Sequence, residues 1–290
     1  MSYKIKRYIY KLNKKLYYNQ QSFCFKKKGG RWMYTRDNPE LDIMVKTAIR
    51  AGKLVASYFN KGLKPEIKPD GSPVTEADKR SEELIKKMLS LKFPDYGFLS
   101  EESGESGPKD QRWIIDPLDG TANFVRKIPV CAVLVALEIN GRIWSGAAYD
   151  IFSEEIFYAE RGRGAYKNRG HKLNVSSERD LAKAALNYSG LKSVRQLGFW
   201  QTFGALIDRV DRERAPGGFV SFQRLISGQI DAYLAADMAP WDLAPFRVLI
   251  EEAGGKFTDF SGKDTVYSGN ALASNGHLHD EILATLNGKK

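Results

Sequence analysis

The segment Trp113–Phe124 (WIIDPLDGTANF) constrains the fold of this chain more than any other stretch of its sequence. An apolar run leads directly into Asp116, although a charge at the end of a buried strand costs free energy unless another group compensates it. Pro117 fixes its own φ angle and has no N–H, so the pattern predicts a stiff turn that leaves the Leu118 carbonyl free to point outward. Such a turn would bring the carboxylates of Asp116 and Asp119 to the same side.

The residues after Asp119 favour a negatively charged ligand. Gly120 permits a close approach of the backbone, and Thr121 is predicted to cap a short helix over residues 122–124. The first turn of a helix presents free N–H groups and the positive end of the helix dipole, and both suit a phosphate.

The acidic residues predict a cation site. Two carboxylates about 5 Å apart repel each other by roughly 3 kcal/mol at an effective dielectric constant of 20, and a divalent cation between Asp116 and Asp119 would remove this repulsion. Ligation by oxygen alone indicates Mg²⁺ or a similar hard ion rather than zinc. The alternative is that both acids cap a turn and face water. Two further acidic sites favour the cation, since Glu101 and Glu102 follow a predicted strand and Asp242 opens a predicted helix.

The basic residues are concentrated at the start of the chain. Residues 1–36 hold 11 of the 45 Lys and Arg residues and no acid, whereas the rest of the chain has 34 basic and 35 acidic residues. The formal net charge of +10 therefore belongs to an extension and not to the folded body. Three interpretations of the extension stay open: a nucleic-acid-binding arm, a transit peptide, or an extension that is disordered or lies upstream of a working start at Met33.

Composition predicts a globular protein without a membrane span. The chain of 290 residues is 42% hydrophobic, which supplies a sizeable core. Its longest apolar run, residues 130–139, is about half of what a membrane-spanning helix needs. Cys24 and Cys131 provide neither a disulfide framework nor a thiolate metal site, so we expect a cytoplasmic protein.

Hydrophobic periodicity predicts helices on both sides of a strand-rich middle. Helices are expected over residues 39–60, from the N-cap Thr75 to about residue 91, and over residues 198–210, 221–228, 242–253 and 277–287. Strands are expected over residues 96–102, 112–116, 130–139, 142–150, 155–161, 256–260 and 271–274, with a two-residue hairpin turn at Asn140-Gly141. The fold class is therefore α+β or layered α/β.

Several motifs resemble those of one enzyme family. The stretches VTEAD (74–78), LSEESGE, WIIDPLDGTANF, YAERGRGAY (158–166) and PWDLAPFRVLIEEAGGKFTD resemble the inositol monophosphatases, which are Mg²⁺-dependent and lithium-sensitive sugar phosphatases. Residues 41–286 share this resemblance, and they look most like the bacterial extragenic-suppressor branch, SuhB. The resemblance implies an αβαβα sandwich and one catalytic domain over residues 37–290, with a metal-binding α+β half at 37–180 and an α/β half at 181–290.

The resemblance also implies roles for individual residues. Two or three Mg²⁺ ions would be bound by carboxylates and one backbone carbonyl, those of Glu101, Asp116, Leu118, Asp119 and Asp242. Catalysis would depend on Asp78 and Thr121, which orient and deprotonate the attacking water, and on Glu101. Substrate contacts would fall on Glu101, Leu118, Asp119, Gly120, Thr121 and Asp242.

The residues that would recognise the alcohol depart from the inositol pattern. The inositol enzymes have an acid seven positions before the aspartate of the WD motif, but that position is Ala235 here, and Asp237 lies two positions further on. Gly217-Gly218 and Ser221 stand where the family has Gly-Ser or Gly-Thr and an Asp or Asn. We therefore expect the residues that bind metal and phosphate to match the family and the residues that recognise the alcohol to differ from it.

Two classes of function follow. The favoured one is a Mg²⁺-dependent phosphatase of the inositol 1-monophosphatase type, acting on a small sugar or polyol phosphate, with histidinol phosphate and fructose 1,6-bisphosphate as alternative substrates. The other is a SuhB-like interaction protein that works with the transcription-antitermination machinery. The resemblance suggests a homodimer, and binding of nucleic acid stays open. No G-x-S-x-G motif is present, and we expect His171, His277 and His279 to be surface residues rather than catalysts.

Overall fold

The computed structural model describes residues 38–288 of the chain. The predicted extension over residues 1–36, with Cys24 and Met33, lies outside this range. The α-helices of the described residues, numbered in chain order, are α1 (Pro39–Tyr58), α2 (Glu76–Lys92), α3 (Thr121–Val125), α4 (Leu191–Gln196), α5 (Trp200–Ile207), α6 (Gly218–Ile226), α7 (Pro240–Glu252) and α8 (His279–Leu286). No helix among them is both long enough and apolar enough to cross a bilayer.

The strands of the same residues are numbered in the same way. They are β1 (Glu66–Ile67), β2 (Pro73–Val74), β3 (Gly97–Ser100), β4 (Gly104–Ser106), β5 (Gln111–Asp119), β6 (Ala132–Ile139), β7 (Arg142–Asp150), β8 (Glu155–Glu160), β9 (Gly164–Lys167), β10 (His171–Lys172), β11 (Ala185–Tyr188), β12 (Arg212–Arg214), β13 (Ala232–Ala236), β14 (Lys256–Thr258) and β15 (Asn270–Ser274).

Two large sheets contain most of the strands. The first has eight strands in the order β10-β9-β8-β7-β6-β5-β3-β4, the second has five in the order β12-β11-β13-β15-β14, and β1 pairs with β2 alone. Most neighbours are antiparallel, but β3 runs parallel to β5, and β11 runs parallel to both β12 and β13. Parallel neighbours bring their carboxyl ends to one edge of a sheet, where α/β proteins bind their ligands.

Helices and sheets stack in five layers. Tyr149 on one face of β7 lies against Gly52 of α1, whereas Gly146 on the other face lies against Pro245 of α7. Helices α6 and α7 share one apolar core with both sheets, so they lie between them. Helices α4, α5 and α8 cover the outer face of the five-stranded sheet with a second core. The order is therefore the αβαβα sandwich that the sequence predicts.

Local signals placed several elements correctly. Thr75 caps α2, since its hydroxyl oxygen accepts the N–H of Ala77 at 3.1 Å. Asn140 and Gly141 have φ angles of 49° and 74° and connect β6 to β7 in a tight hairpin. The weak pattern after residue 180 did not reveal β11, β12 or β13. The helix predicted over residues 198–210 corresponds to α5, whereas the short α4 was missed; Gly198, with a φ of 82°, separates the two.

The prediction for His279 is also wrong. Its side chain is fully buried between α8 and the five-stranded sheet, and burial lowers its pKa to about 4. Its Nδ1 lies 2.9 Å from the Ser274 hydroxyl and its Nε2 lies 3.0 Å from the Thr258 hydroxyl. His279 is thus a neutral structural residue, while His171 and His277 are exposed as predicted.

Candidate active site

Glu101 and Asp116 meet because β3 and β5 run parallel. Both strands reach the same edge of the eight-stranded sheet, where the Glu101 N–H donates to the Ile115 carbonyl at 3.1 Å. This bond continues the ladder by one residue beyond β3. It places the Glu101 carboxyl beside that of Asp116, and its charge raises the pKa of Asp116.

The D-P-x-D segment forms an irregularity within β5 and not the predicted turn. The strand continues to Asp119, and its register against β6 shifts between Asp116 and Asp119, because Pro117 has no N–H to offer the ladder. Asp116 Oδ1 accepts the N–H of Leu118 at 2.9 Å. The Leu118 carbonyl oxygen lies 3.0 Å from the Thr121 hydroxyl, so it already has a partner.

Asp242 completes a group of three carboxylates. Helix α7 begins at Pro240 and not at Asp242, which is the third helical residue and accepts the N–H of Ala239 at 2.7 Å. This bond caps the helix and fixes the carboxylate at the sheet edge. One ligand oxygen from each of Asp116, Asp119 and Asp242 lies within 4.8 Å of the other two. Glu101 is outside this group and touches it through Asp116.

Burial and mutual repulsion raise the pKa of all three aspartates. The pKa of Asp116, which is 1% exposed, lies well above its ordinary value, first because of burial and then because of Glu101, Asp119 and Asp242. The pKa is raised to about 7 in Asp119 and to about 6 in Asp242, again mainly by burial. Buried carboxylates so close together need a compensating positive charge. Their oxygen donors fit a hard divalent cation such as Mg²⁺.

Lys68 is a charged residue of the site that sequence reasoning missed. Its Nζ lies 2.8 Å from Glu101 Oε1 and 2.7 Å from Glu102 Oε1. The pKa of Glu102 is raised to about 7, mainly by burial, although the ammonium group of Lys68 works against this shift. No motif marks Lys68, because the sequence KPDGSP indicates only a turn.

Asp78 and Thr121 form a buried pair beside the carboxylates. The Thr121 hydroxyl lies 2.7 Å from Asp78 Oδ1, and Asp78 Oδ2 accepts the N–H and the hydroxyl of Thr75 at 2.8 and 2.6 Å. Burial raises the pKa of Asp78. The prediction that Thr121 caps α3 is wrong, since Gly120 occupies the cap position and Thr121 is the first helical residue. The hydroxyl of Thr121 is directed at Asp78 instead.

Gly120 can only be glycine in this backbone. Its φ angle is 87°, in the left-handed region that residues with a Cβ rarely adopt. A Cβ here would lie 2.7 Å from the carbonyl oxygen of Val130. Because Gly120 has no side chain, the chain can turn directly from β5 into α3, so that Asp119 and Thr121 face the same site.

The fold and this carboxylate site define a class of metal-dependent phosphatases, and comparison with known proteins gives the family. The inositol monophosphatase family matches residues 37–290. The histidinol-phosphatase of Mycobacterium tuberculosis is 38% identical over 254 residues, which are 85% of this chain and 98% of that protein. The Nus factor SuhB of Pasteurella multocida is 34% identical over 248 residues, 83% of this chain and 90% of that protein. The chain therefore belongs to the inositol monophosphatase family, and it is similar to the SuhB branch.

Solved structures share the fold. The extragenic suppressor protein SuhB of Bartonella henselae has a TM-score of 0.78 and 31% sequence identity, with 84% of this chain and 97% of that chain covered. A dual IMPase/NADP phosphatase complexed with Mg²⁺ and phosphate has a TM-score of 0.71 and 25% identity, with 81% and 90% covered. The αβαβα prediction is confirmed by these neighbours.

The raised pKa values predict how stability depends on pH without metal. Between about pH 4 and pH 7, Asp119 and Asp242 bind protons in the native state. In the unfolded chain the same residues have already released these protons. Their contribution to the free energy of unfolding is therefore present below about pH 4 and is lost as the pH rises to about 7. In EDTA, the melting temperature of the Asp119→Asn variant relative to wild type should increase from pH 5 to pH 8. An unchanged difference would contradict the prediction.

Proposed function

We propose that this phosphatase hydrolyses the phosphate monoester of a small alcohol with two or three Mg²⁺ ions and water as the nucleophile. The observation that carries the proposal is the group formed by the buried Asp116 and the half-buried Asp119 and Asp242, whose ligand oxygens lie within 4.8 Å of one another. We assign these carboxylates to metal binding and not to attack on phosphorus. A water molecule activated beside the carboxylates is the simplest nucleophile for such a site.

We assign the metal ligands to Glu101, Asp116, Asp119, Asp242 and the Leu118 carbonyl. Bound there, Mg²⁺ would lower the pKa of water and stabilise the charge that develops on the leaving oxygen. The assignment is supported by the donor set, since every group is an oxygen. We place the substrate phosphate beside Asp119, Gly120 and Thr121, because Gly120 has no side chain to keep it from the backbone.

We assign the orientation of the attacking water to Asp78 and Thr121. A hydroxyl that donates to Asp78, at 2.7 Å, has lone pairs that can accept a hydrogen bond from water. The water is then held with its own lone pairs directed away from Thr121. A buried carboxylate whose pKa is raised can receive a proton through this chain, with Glu101 as a further acidic group of the site.

The alcohol part of the substrate has two main candidates. Inositol 1-phosphate is supported by the family, and histidinol phosphate by the histidinol-phosphatase relative. Ala235 is fully buried and offers no side-chain hydrogen bond where the inositol enzymes have an acid. This departure favours an alcohol other than myo-inositol.

A phosphate-release assay tests the proposal. We expect Mg²⁺-dependent turnover of inositol 1-phosphate, histidinol phosphate or fructose 1,6-bisphosphate, with EDTA abolishing it. The protein would be measured over a range of Mg²⁺ concentrations to find the number of ions required. Absence of turnover of all three esters, with Mg²⁺ and with Mn²⁺, would overturn the proposal.

A second candidate function is an interaction role of the SuhB kind. It is supported by the relative named Nus factor SuhB, which covers most of the chain. Binding of transcription-antitermination proteins by the Asp116→Asn variant would separate this role from hydrolysis, since the substitution leaves the surface unchanged. We also propose a homodimer, which sedimentation of the purified protein would test.

A further inference from the structure

The carboxyl ends of β11 and β13 form one side of the candidate site. The two strands are parallel neighbours, and the N–H of Ala236 at the end of β13 donates to the Ser189 hydroxyl just after β11 at 3.0 Å. The start of α6 reaches the metal side from here, since the N–H of Phe219 lies 3.4 Å from Asp119 Oδ2. This edge therefore borders the carboxylates directly, in the place that the alcohol of a phosphate ester would occupy.

Space at this edge is left open by three glycines. A Cβ on Gly190 or on Gly217 would meet no atom within 4 Å. A Cβ on Gly218 would meet only Asp119 Oδ2, at 3.4 Å. The alcohol side thus has room for a group that projects away from Asp119.

The polar groups below this edge are already paired with one another. Asn187 Nδ2 donates to the Ser221 hydroxyl at 3.2 Å, and the hydroxyls of Ser189 and Tyr233 lie 3.1 Å apart. All four side chains are buried. These hydrogen bonds stabilise the buried residues of this edge. Recognition of the alcohol is therefore left to the exposed residues that follow the strands.

Asp237 is an exposed acid at this edge. It is the first residue after β13, its side chain is exposed, and its φ angle of 61° lies in the left-handed region. Among residues 38–288, no hydrogen bond or salt bridge is recorded for its carboxylate. Asp242 Oδ2 accepts the N–H of Ala239, two residues after Asp237, at 2.7 Å, so both acids lie at this edge of the sheet. An aspartate that has a φ angle in the left-handed region, has no partner and lies next to a site for a ligand is a candidate for ligand recognition.

We propose that Asp237 binds the alcohol part of the substrate and selects a leaving group that carries a positively charged amine. The chemical class is the phosphate monoester of an amino alcohol, and the proposal rests on the phosphatase function proposed above. The carboxylate attracts a cation on the open side of the site and repels a second phosphate there. Its position differs from that of the acid in the inositol enzymes, which is Ala235 here.

Basic side chains at the same end of the sheet define the opposite possibility, a leaving group with a second phosphate. Arg214 at the end of β12 is exposed, and its Nη1 donates to the Glu213 carbonyl at 2.6 Å, so its guanidinium is turned back along its own strand. Lys192 lies on α4 and is exposed. We favour the cation because Asp237 lies two residues from the N–H that Asp242 accepts, whereas Arg214 ends the outermost strand of its sheet.

The Asp237→Asn variant tests the proposal with three esters of different charge. Asparagine keeps the shape of the side chain and accepts a left-handed φ angle. We expect kcat/KM to fall about threefold to tenfold for histidinol phosphate, which carries an amine, and to change less than about twofold for the neutral alcohol of inositol 1-phosphate. For fructose 1,6-bisphosphate it should rise. Asp95→Asn is the matched control, because Asp95 is exposed and precedes β3 at the far end from Glu101.

The outcomes separate this proposal from the phosphatase function. Equal losses for all three esters would overturn it, since Asp237 would then act through Asp242 and the metal. Unchanged values for histidinol phosphate, or wild-type turnover of inositol 1-phosphate alone, would overturn it while leaving the phosphatase function in place. A wild-type protein that hydrolyses none of the esters would overturn both. Melting temperatures of wild type and variant should agree, and a large decrease would assign Asp237 to the fold and contradict the proposal.

Discussion

Replacing Asp116 by asparagine should lower Mg²⁺-dependent phosphate release by about 10³-fold or more. Asp116 is the central acid of the site, since it touches Glu101 and lies within 4.8 Å of ligand oxygens of Asp119 and Asp242. Asparagine preserves the bond to the N–H of Leu118 at 2.9 Å, because its Oδ1 accepts in the same way. The substitution therefore removes one charge without changing the shape of the strand. Isothermal titration with Mg²⁺ should show a matching loss of affinity.

The same variant should be more stable than wild type when no metal is present. Burial and the neighbouring carboxylates raise the pKa of Asp116, so its ionised form is unfavourable without metal, and a neutral amide avoids that cost. A higher melting temperature in EDTA together with lost activity would show that the fold tolerates the substitution and that the charge serves function. Asp95→Asn should change neither property. Retention of turnover by Asp116→Asn would contradict the assignment of the metal ligands.

Removing the Thr121 hydroxyl should lower kcat by about 10²-fold or more and leave Mg²⁺ affinity nearly unchanged. The Thr121→Val substitution keeps the side-chain volume, but it removes the group that lies 2.7 Å from Asp78 Oδ1. Proton transfer and orientation of water by such a pair contribute about 10²-fold to 10⁴-fold to many hydrolases. Neither residue is one of the metal ligands that we assign, so we expect binding of the ion to depend little on them.

A matched set of variants separates this role from a structural one. Thr121→Ser keeps the hydroxyl and should retain most of the activity, whereas Asp78→Asn should reproduce the loss in kcat. Asp78→Asn should also destabilise the fold by about 1 kcal/mol, because Asp78 accepts hydrogen bonds at both oxygens, from Thr75 and from Thr121, and an amide can accept at only one. Equal activity in Thr121→Val and wild type would contradict the catalytic assignment.

Sequence patterns predicted the architecture where periodicity and turns are strong. The α1 and α2 helices, the strand that leads into Asp116 and the Asn140-Gly141 hairpin all follow from local signals. The five-stranded sheet was harder to predict, because β11 and β12 are short and lie in a segment without clear periodicity. Their stability comes from pairing with β13 and from packing against helices distant in sequence, which no local window contains.

The sequence predicted that acids distant along the chain come together, but not their local geometry. Asp116, Asp119 and Asp242 come together as expected, because the end of β5 and the start of α7 meet at one edge. The turn at Pro117 is instead a bulge, since pairing with β6 resumes at Asp119. Lys68 was missed because its contacts with Glu101 and Glu102 span more than 30 residues of sequence. Long-range contacts of this kind leave no periodic signal.

A crystal structure with Mn²⁺ in place of Mg²⁺ tests the metal assignment most directly, because Mn²⁺ is visible by anomalous scattering. We expect at least two anomalous peaks beside the carboxylates, bound by Glu101, Asp116, Asp119 and Asp242, with Lys68 displaced from Glu101. Saturating Mn²⁺ that gives no anomalous density among these side chains would contradict the account.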